Sequence, residues 1–127
     1  MELLHKEVTD TIIKAFYEVY NELGYGFLEK VYEKALCIAL DSHLLDVKTQ
    51  EPIKVFFRGQ TAGLFYSDIL VENKVIIEIK AGSLKEEHEY QLLNYLKATD
   101  IEVGLLMSFG KTPVFKRKVF SNKHKNR

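Results

Sequence analysis

Asp68, Glu78 and Lys80 are the residues of this 127-residue chain whose types and spacing promise chemistry. Side chains alternate along a strand, so Glu78 and Lys80 project from one side of an extended segment. If residues 72–74 form a three-residue turn, Val71 pairs with Val75, and counting back sets Asp68 opposite Glu78. A turn longer or shorter by one residue would undo that meeting. In this register two carboxylates and an ammonium converge. Adjacent carboxylates repel and resist desolvation, so a site that holds both requires a cation, and one lysine does not balance two charges. Mg2+, a hard oxygen-ligated ion, suits Asp68, Glu78 and the backbone carbonyl of Ile79 with water in its remaining positions, and Mn2+ is its natural substitute. Such a water is a hydrolytic nucleophile. Lys80 beside it would help orient the water and offset charge on a phosphate under attack.

Glu-x-Lys alone describes a solvated hairpin face equally well. The surrounding Val75-Ile76-Ile77-Glu78-Ile79-Lys80-Ala81 is apolar on both faces, which predicts a strand covered on both sides and charges set in a cleft. Glu29 lies close to an apolar helical stripe and either faces inward or serves the helix start, where a carboxylate meets the macrodipole favourably. Gln91 and Tyr95 are one helical turn apart, with His88 a turn earlier. Gln91 is a candidate hydrogen-bond donor to water or phosphate, Tyr95 is explained by packing alone, and His88 is incidental.

The elements that must position these residues follow from periodicity. Val8, Ile12, Ala15, Phe16, Val19 and Leu23 mark an amphipathic helix over 3–23, ended by Gly24-Tyr25-Gly26. A second helical pattern runs from Leu28 to Leu40. From Gln50 the period becomes two, through Ile53, Val55 and Phe57 to a turn at Gly59. Leu64–Val71 and Val75–Ala81 read as an antiparallel hairpin around Glu72-Asn73-Lys74. A third helix is expected over 85–98. Val103–Met107 follows as a strand returning in parallel, and Val114–Phe120 as an edge strand after the turn at 109–113. The order α-α-β-β-β-α-β-β predicts an α/β fold with a mixed sheet. Without repeat or linker it forms one domain, 1–120, with a basic C-terminal tail, 121–127.

Other chemistries lack their residues. A single cysteine forms no internal disulfide, and Cys37, between Leu36 and Ile38, reads as a small buried hydrophobe. His5, His43, His88 and His124 show no paired spacing for zinc. There is no Gly-x-Ser-x-Gly elbow or Gly-Lys-Thr loop, and the Gly-x-Gly follows a helix where a dinucleotide turn would follow a strand. No apolar run nears the ~20 residues of a membrane span, and the first residues lack a signal-peptide core, so the expectation is a cytoplasmic protein without a membrane partner. The net charge of zero conceals an asymmetry: Lys116, Arg117, Lys118, Lys123, Lys125 and Arg127 lie at the end, leaving residues 1–115 with twelve basic against eighteen acidic residues. An acidic body argues against a broad basic nucleic-acid face. The tail is read as a solvated, partly disordered terminus that could still touch phosphates.

Together the motifs resemble the GxxExxY proteins, grouped with the PD-(D/E)XK nuclease superfamily. The name motif stands here as Gly26-Phe27-Leu28-Glu29-Lys30-Val31-Tyr32. Tyr66-Ser67-Asp68-Ile69-Leu70-Val71 and Ile77-Glu78-Ile79-Lys80 resemble the superfamily's Asp…Glu-x-Lys core, with Ser67 where its name has proline. Gln91-Leu92-Leu93-Asn94-Tyr95 resembles the Gln-x-x-x-Tyr of the RecB-like branch. The resemblance implies a restriction-endonuclease-like αβββαβ core with an extra N-terminal helix. It also implies metal ligation by Asp68 and Glu78, a catalytic Lys80, supporting roles for Glu29 and Gln91, and Mg2+-dependent hydrolysis of nucleic acid, DNA foremost. The competing expectation is a catalytically silent binding or assembly module that keeps the fold. A second copy of the chain, in a homodimer, is a further candidate partner.

Overall fold

The computed structural model describes residues 3–126; Met1, Glu2 and Arg127, the last residue of the expected basic tail, lie outside the described residues. Helices α1 (Lys6–Leu23) and α2 (Glu29–Ser42) precede strands β1 (Val47–Phe57), β2 (Gln60–Val71) and β3 (Val75–Lys80). Helix α3 (Glu86–Ala98), strands β4 (Val103–Phe109) and β5 (Pro113–Val119) and a 3-10 turn at Asn122–His124 complete the chain. The five strands form one sheet in sequence order. Only β3 and β4 run parallel, joined through α3, and the other neighbours are antiparallel. This is the expected mixed α/β architecture, consistent with a restriction-endonuclease-like core plus one extra N-terminal helix.

Residue parity on β3 explains why both faces are covered. Ile77 and Ile79 join Ile12, Phe16, Leu36 and Leu40 of α1 and α2 in one buried cluster. Ile76 joins Leu92, Tyr95 and Leu96 of α3 in the other. Glu78 shares the parity of Ile76 and therefore stands on the α3 side, only 5% exposed. Every residue of β4 is buried. Gly104 serves this tight layer, because a Cβ there would lie 2.7 Å from Cδ1 of Leu92.

The loop from α1 to α2 is held by a tyrosine. Tyr32 donates its hydroxyl to the Gly24 carbonyl at 2.7 Å and accepts from the Phe27 N–H at 3.2 Å, while its ring stacks on Phe109 with centroids 4.3 Å apart. Gly26, at φ 108°, takes a backbone conformation that suits glycine. The Gly and Tyr of the 26–32 motif thus fix where α2 begins, and with it Glu29.

Several boundaries differ from the sequence reading. β1 starts at Val47 and β2 at Gln60, so the first hairpin is longer than expected and closes directly at Arg58 and Gly59. The C-terminal tail is tied back at two points, although Lys123, His124 and Asn126 are exposed: Lys125 Nζ donates to the carbonyls of Thr99 and Ile101 at 2.8 Å each, and Asn122 binds Asp100 and Glu102. The Lys125 ammonium thus meets carbonyls just beyond the C-terminal end of α3, where a cation is favoured. Lys116 and Lys118 likewise pair with Glu89 of α3.

Candidate active site

The β2–β3 ladder runs Val71↔Val75, Leu70↔Ile76, Ile69↔Ile77 and ends there. This is the register expected from a three-residue turn, closed by the Lys74 N–H on the Val71 carbonyl with Glu72 and Asn73 in the left-handed region. At the next rung the backbones part and carboxylates replace carbonyls. Asp68 donates its N–H to Oε1 of Glu78 at 3.1 Å, and Oδ2 of Asp68 accepts from the N–H of Ile79 at 2.8 Å. Two residues on, the Ala81 N–H donates to Oε2 of Glu29 at 3.3 Å. The β3 edge that β2 abandons is therefore sealed by side chains, Asp68 from the hairpin and Glu29 from α2. A strand residue's N–H and C=O point to the same side, so the Ile79 carbonyl faces this gap.

Burial dominates the electrostatics. Desolvation, reinforced by the neighbouring Asp68 charge, pushes the Glu78 carboxyl up to about 9. Asp68 is raised too, by desolvation first and partly offset by the Ile79 N–H. The Lys80 charge acts on both carboxylates in the opposite sense. Each carboxylate takes a backbone N–H, and the two side chains also hydrogen-bond each other, which raises Glu78 and lowers Asp68. Among the described residues no group of three or more His, Cys, Asp or Glu side chains is placed to hold a metal ion. Two carboxylates, one carbonyl and otherwise water nevertheless form an all-oxygen donor set suited to a hard, well-hydrated divalent cation, and such an ion would offset their unbalanced charge.

The remaining candidates are less closely joined. Glu29 is exposed and reaches β3 from the first residue of α2, so it combines helix start with contact to the site edge. Gln91 does not bond the carboxylates directly. Its Nε2 donates to the Tyr95 hydroxyl at 2.9 Å, and Tyr95, by burial and then by the charge of Glu78, is raised to about 12. His88 accepts the Lys85 N–H at Nδ1 and so caps α3. Cys37 is half-buried and its thiol is raised by burial, in keeping with a packing role.

Glu33 escaped the sequence reading. It is buried beside the site, accepts from Gln50 Nε2 at 3.0 Å, and its charge raises Asp68. Its signal was its position one helical turn after Glu29, on the same face. Gln50 itself adopts φ 52° within β1, where the hairpin begins to turn away from the sheet. A cleft of about 730 Å3 borders the site at Ala81, lined by Ser83, Ser108, Lys111, Thr112 and Lys116 among others. The carboxylate pair is outside it.

No helix among the described residues is long and apolar enough to cross a membrane. No curated protein and no solved structure matches the chain. The family model described as the PD-(D/E)XK nuclease superfamily matches residues 6–119, most of the chain and every element that builds the site. The chain belongs to the PD-(D/E)XK nuclease superfamily.

Proposed function

We propose that this chain is a Mg2+-dependent nuclease that hydrolyses phosphodiester bonds of nucleic acid, DNA foremost, with Asp68, Glu78 and Lys80 as its reacting core. The observation that carries this reading is the meeting of Asp68 and Glu78 where β2 leaves β3. Asp68, Glu78 and the Ile79 carbonyl would hold the ion, with Mn2+ as substitute. When bound, it supplies positive charge that keeps both carboxylates ionised and activates water toward phosphorus. Lys80, on the parity of Glu78, contributes an ammonium that offsets charge on the phosphoryl oxygens as the bond breaks. Glu29 steadies the edge of β3 at Ala81, and Gln91 orients Tyr95 next to Glu78.

Membership of the GxxExxY group within the RecB-like branch is supported by Gly26, Glu29 and Tyr32 acting together around the start of α2, and by the Gln91–Tyr95 hydrogen bond. Residues 1–120 would form the catalytic domain and 121–127 a basic appendage. Lys111 and Lys116 in the neighbouring cleft give the otherwise acidic body a place for backbone phosphates.

The purified chain, given single-stranded, duplex and branched DNA and RNA, should cut at least one in Mg2+ or Mn2+. Cutting should cease with EDTA and in Lys80→Ala. Intact substrate throughout would refute catalysis and leave the silent module.

A further inference from the structure

Beyond Glu51↔Ser67 the rungs of β1 and β2 pair only with each other, because among the described residues β3 binds β2 at Ile69, Leu70 and Val71 alone. From Glu51 to Phe57 this two-stranded arm extends about 20 Å. Its surface is unlike the rest of the acidic body. Between Glu51 and Asp68 the only charged residues are Lys54 and Arg58. Phe56, Phe57, Phe65 and Tyr66 are 62%, 63%, 43% and 51% exposed. The Arg58 guanidinium lies over the Phe57 ring, 4.9 Å from its centroid.

The arm is anchored to the site at its base. The Phe65 ring packs against Tyr95, centroids 5.8 Å apart, and Tyr95 is the residue that Gln91 holds near Glu78. Tyr66 precedes Asp68 by two residues. A surface contiguous with a phosphodiester-cutting site, cationic beyond Glu51 at its base and faced with rings, fits a polymer that carries phosphate charge and open π-faces. A paired duplex hides those faces.

We propose that this arm binds unpaired bases of a single-stranded nucleic acid by stacking, with Phe56 and Tyr66 as platforms beside Lys54 on one face of the ribbon, Phe57 as a platform on the other and Arg58 at the tip on the phosphates, and so directs the site to single-stranded or frayed substrate. The inference rests on the nuclease reading for its consequence but not for its test. The chain contains no tryptophan, so Phe56→Trp introduces a single reporter, with Phe57→Trp as a second and exposed Ile38→Trp on α2 as the distant control. With EDTA present, so that no strand is cut, a single-stranded DNA of about twelve bases should quench the indole at 56 or 57 and spare the one at 38. The blunt duplex of the same sequence should quench none. Phe56→Ala and Phe57→Ala should each weaken single-strand binding on the order of tenfold by anisotropy. Circular dichroism checks that each variant folds. An unquenched arm overturns the proposal, and if the same variant still cuts DNA in Mg2+ the nuclease reading survives without it. Quenching without any cutting supports the arm and refutes only the catalytic reading. Emission that shifts with protein concentration in the absence of DNA, with a doubled mass in solution, makes the arm a self-association surface and overturns the proposal.

Discussion

Asp68 and Glu78 hold each other through a backbone group as well as through proximity: the N–H of Asp68 donates to Oε1 of Glu78 at 3.1 Å, and Asp68 in turn accepts the N–H of the residue after Glu78. Each side chain supplies an oxygen acceptor to the point where the two strands separate, a role that an amide in its place would keep. Both groups are nevertheless held where ionisation is unfavourable.

That conflict has a pH signature. Glu78 moves from its ordinary 4.5 up to about 9 on folding, mainly through desolvation and then through the Asp68 charge. Between those values the native state keeps a proton that the unfolded chain has lost. This contribution to stability is full below about 4.5 and disappears as pH rises to about 9. The raised Asp68 works in the same sense. In EDTA, thermal melts of the wild type should therefore fall more steeply from pH 5 to 9 than those of Glu78→Gln. Parallel curves would show that the carboxyl is not buried as described.

A divalent cation should reverse the penalty. At pH 8, Mg2+ or Mn2+ at a hundred times its dissociation constant should stabilise the fold by about 2.7 kcal/mol. Asp68→Asn should abolish that gain while leaving the metal-free melting point equal or higher. Calorimetry at several pH values should show uptake of the ion releasing protons. A gain that persists in Asp68→Asn would place the ion elsewhere.

Glu33→Gln tests the carboxylate that periodicity did not single out. The amide retains an acceptor for Gln50 but removes a charge that raises Asp68. Asp68 should then ionise at lower pH, and the acid limb of cutting or of metal binding should move to lower pH with little loss of stability. A shift to higher pH would contradict the placement.

The parts of the molecule that were legible in the sequence are those where one local rule acts alone. Hydrophobic period and glycine stops marked both first helices. The three residues between Val71 and Val75 set the hairpin register, and the doubly apolar run around Glu78 announced a covered strand. β2 was read too short because Gln60-Thr61-Ala62-Gly63 lacks apolar alternation, and only its partner rungs on β1 make it extended. Glu33 was hidden because a charged residue on a helix ordinarily faces solvent, and its hydrogen-bond partner, Gln50, comes from a strand far along the chain. The anchoring of the tail was hidden for a related reason. Lys125 is matched to carbonyls of Thr99 and Ile101 that no local pattern reveals.

Packing between α3 and the sheet offers a test independent of chemistry. Gly104→Ala would bring a methyl within 2.7 Å of the fully buried Leu92. Overpacking of this kind costs about 1–3 kcal/mol. Denaturant titration should show that loss, and Leu92→Val in the same chain should recover part of it. Neutral behaviour of Gly104→Ala would mean that α3 shifts freely over β4.

The separation of β2 from β3 also divides the hairpin into two regions with different tolerance for change. Inward of Ile69↔Ile77 a one-residue slip would carry Asp68 away from Glu78. Outward of Glu51↔Ser67 the strands pair, among the described residues, only with each other, and only the rung Ile53↔Phe65 is tied to α3, so residues added or removed in matched pairs near Arg58 and Gly59 keep every inward rung unchanged. The reach of the arm is therefore a length that can be changed in this chain without retuning the carboxylates.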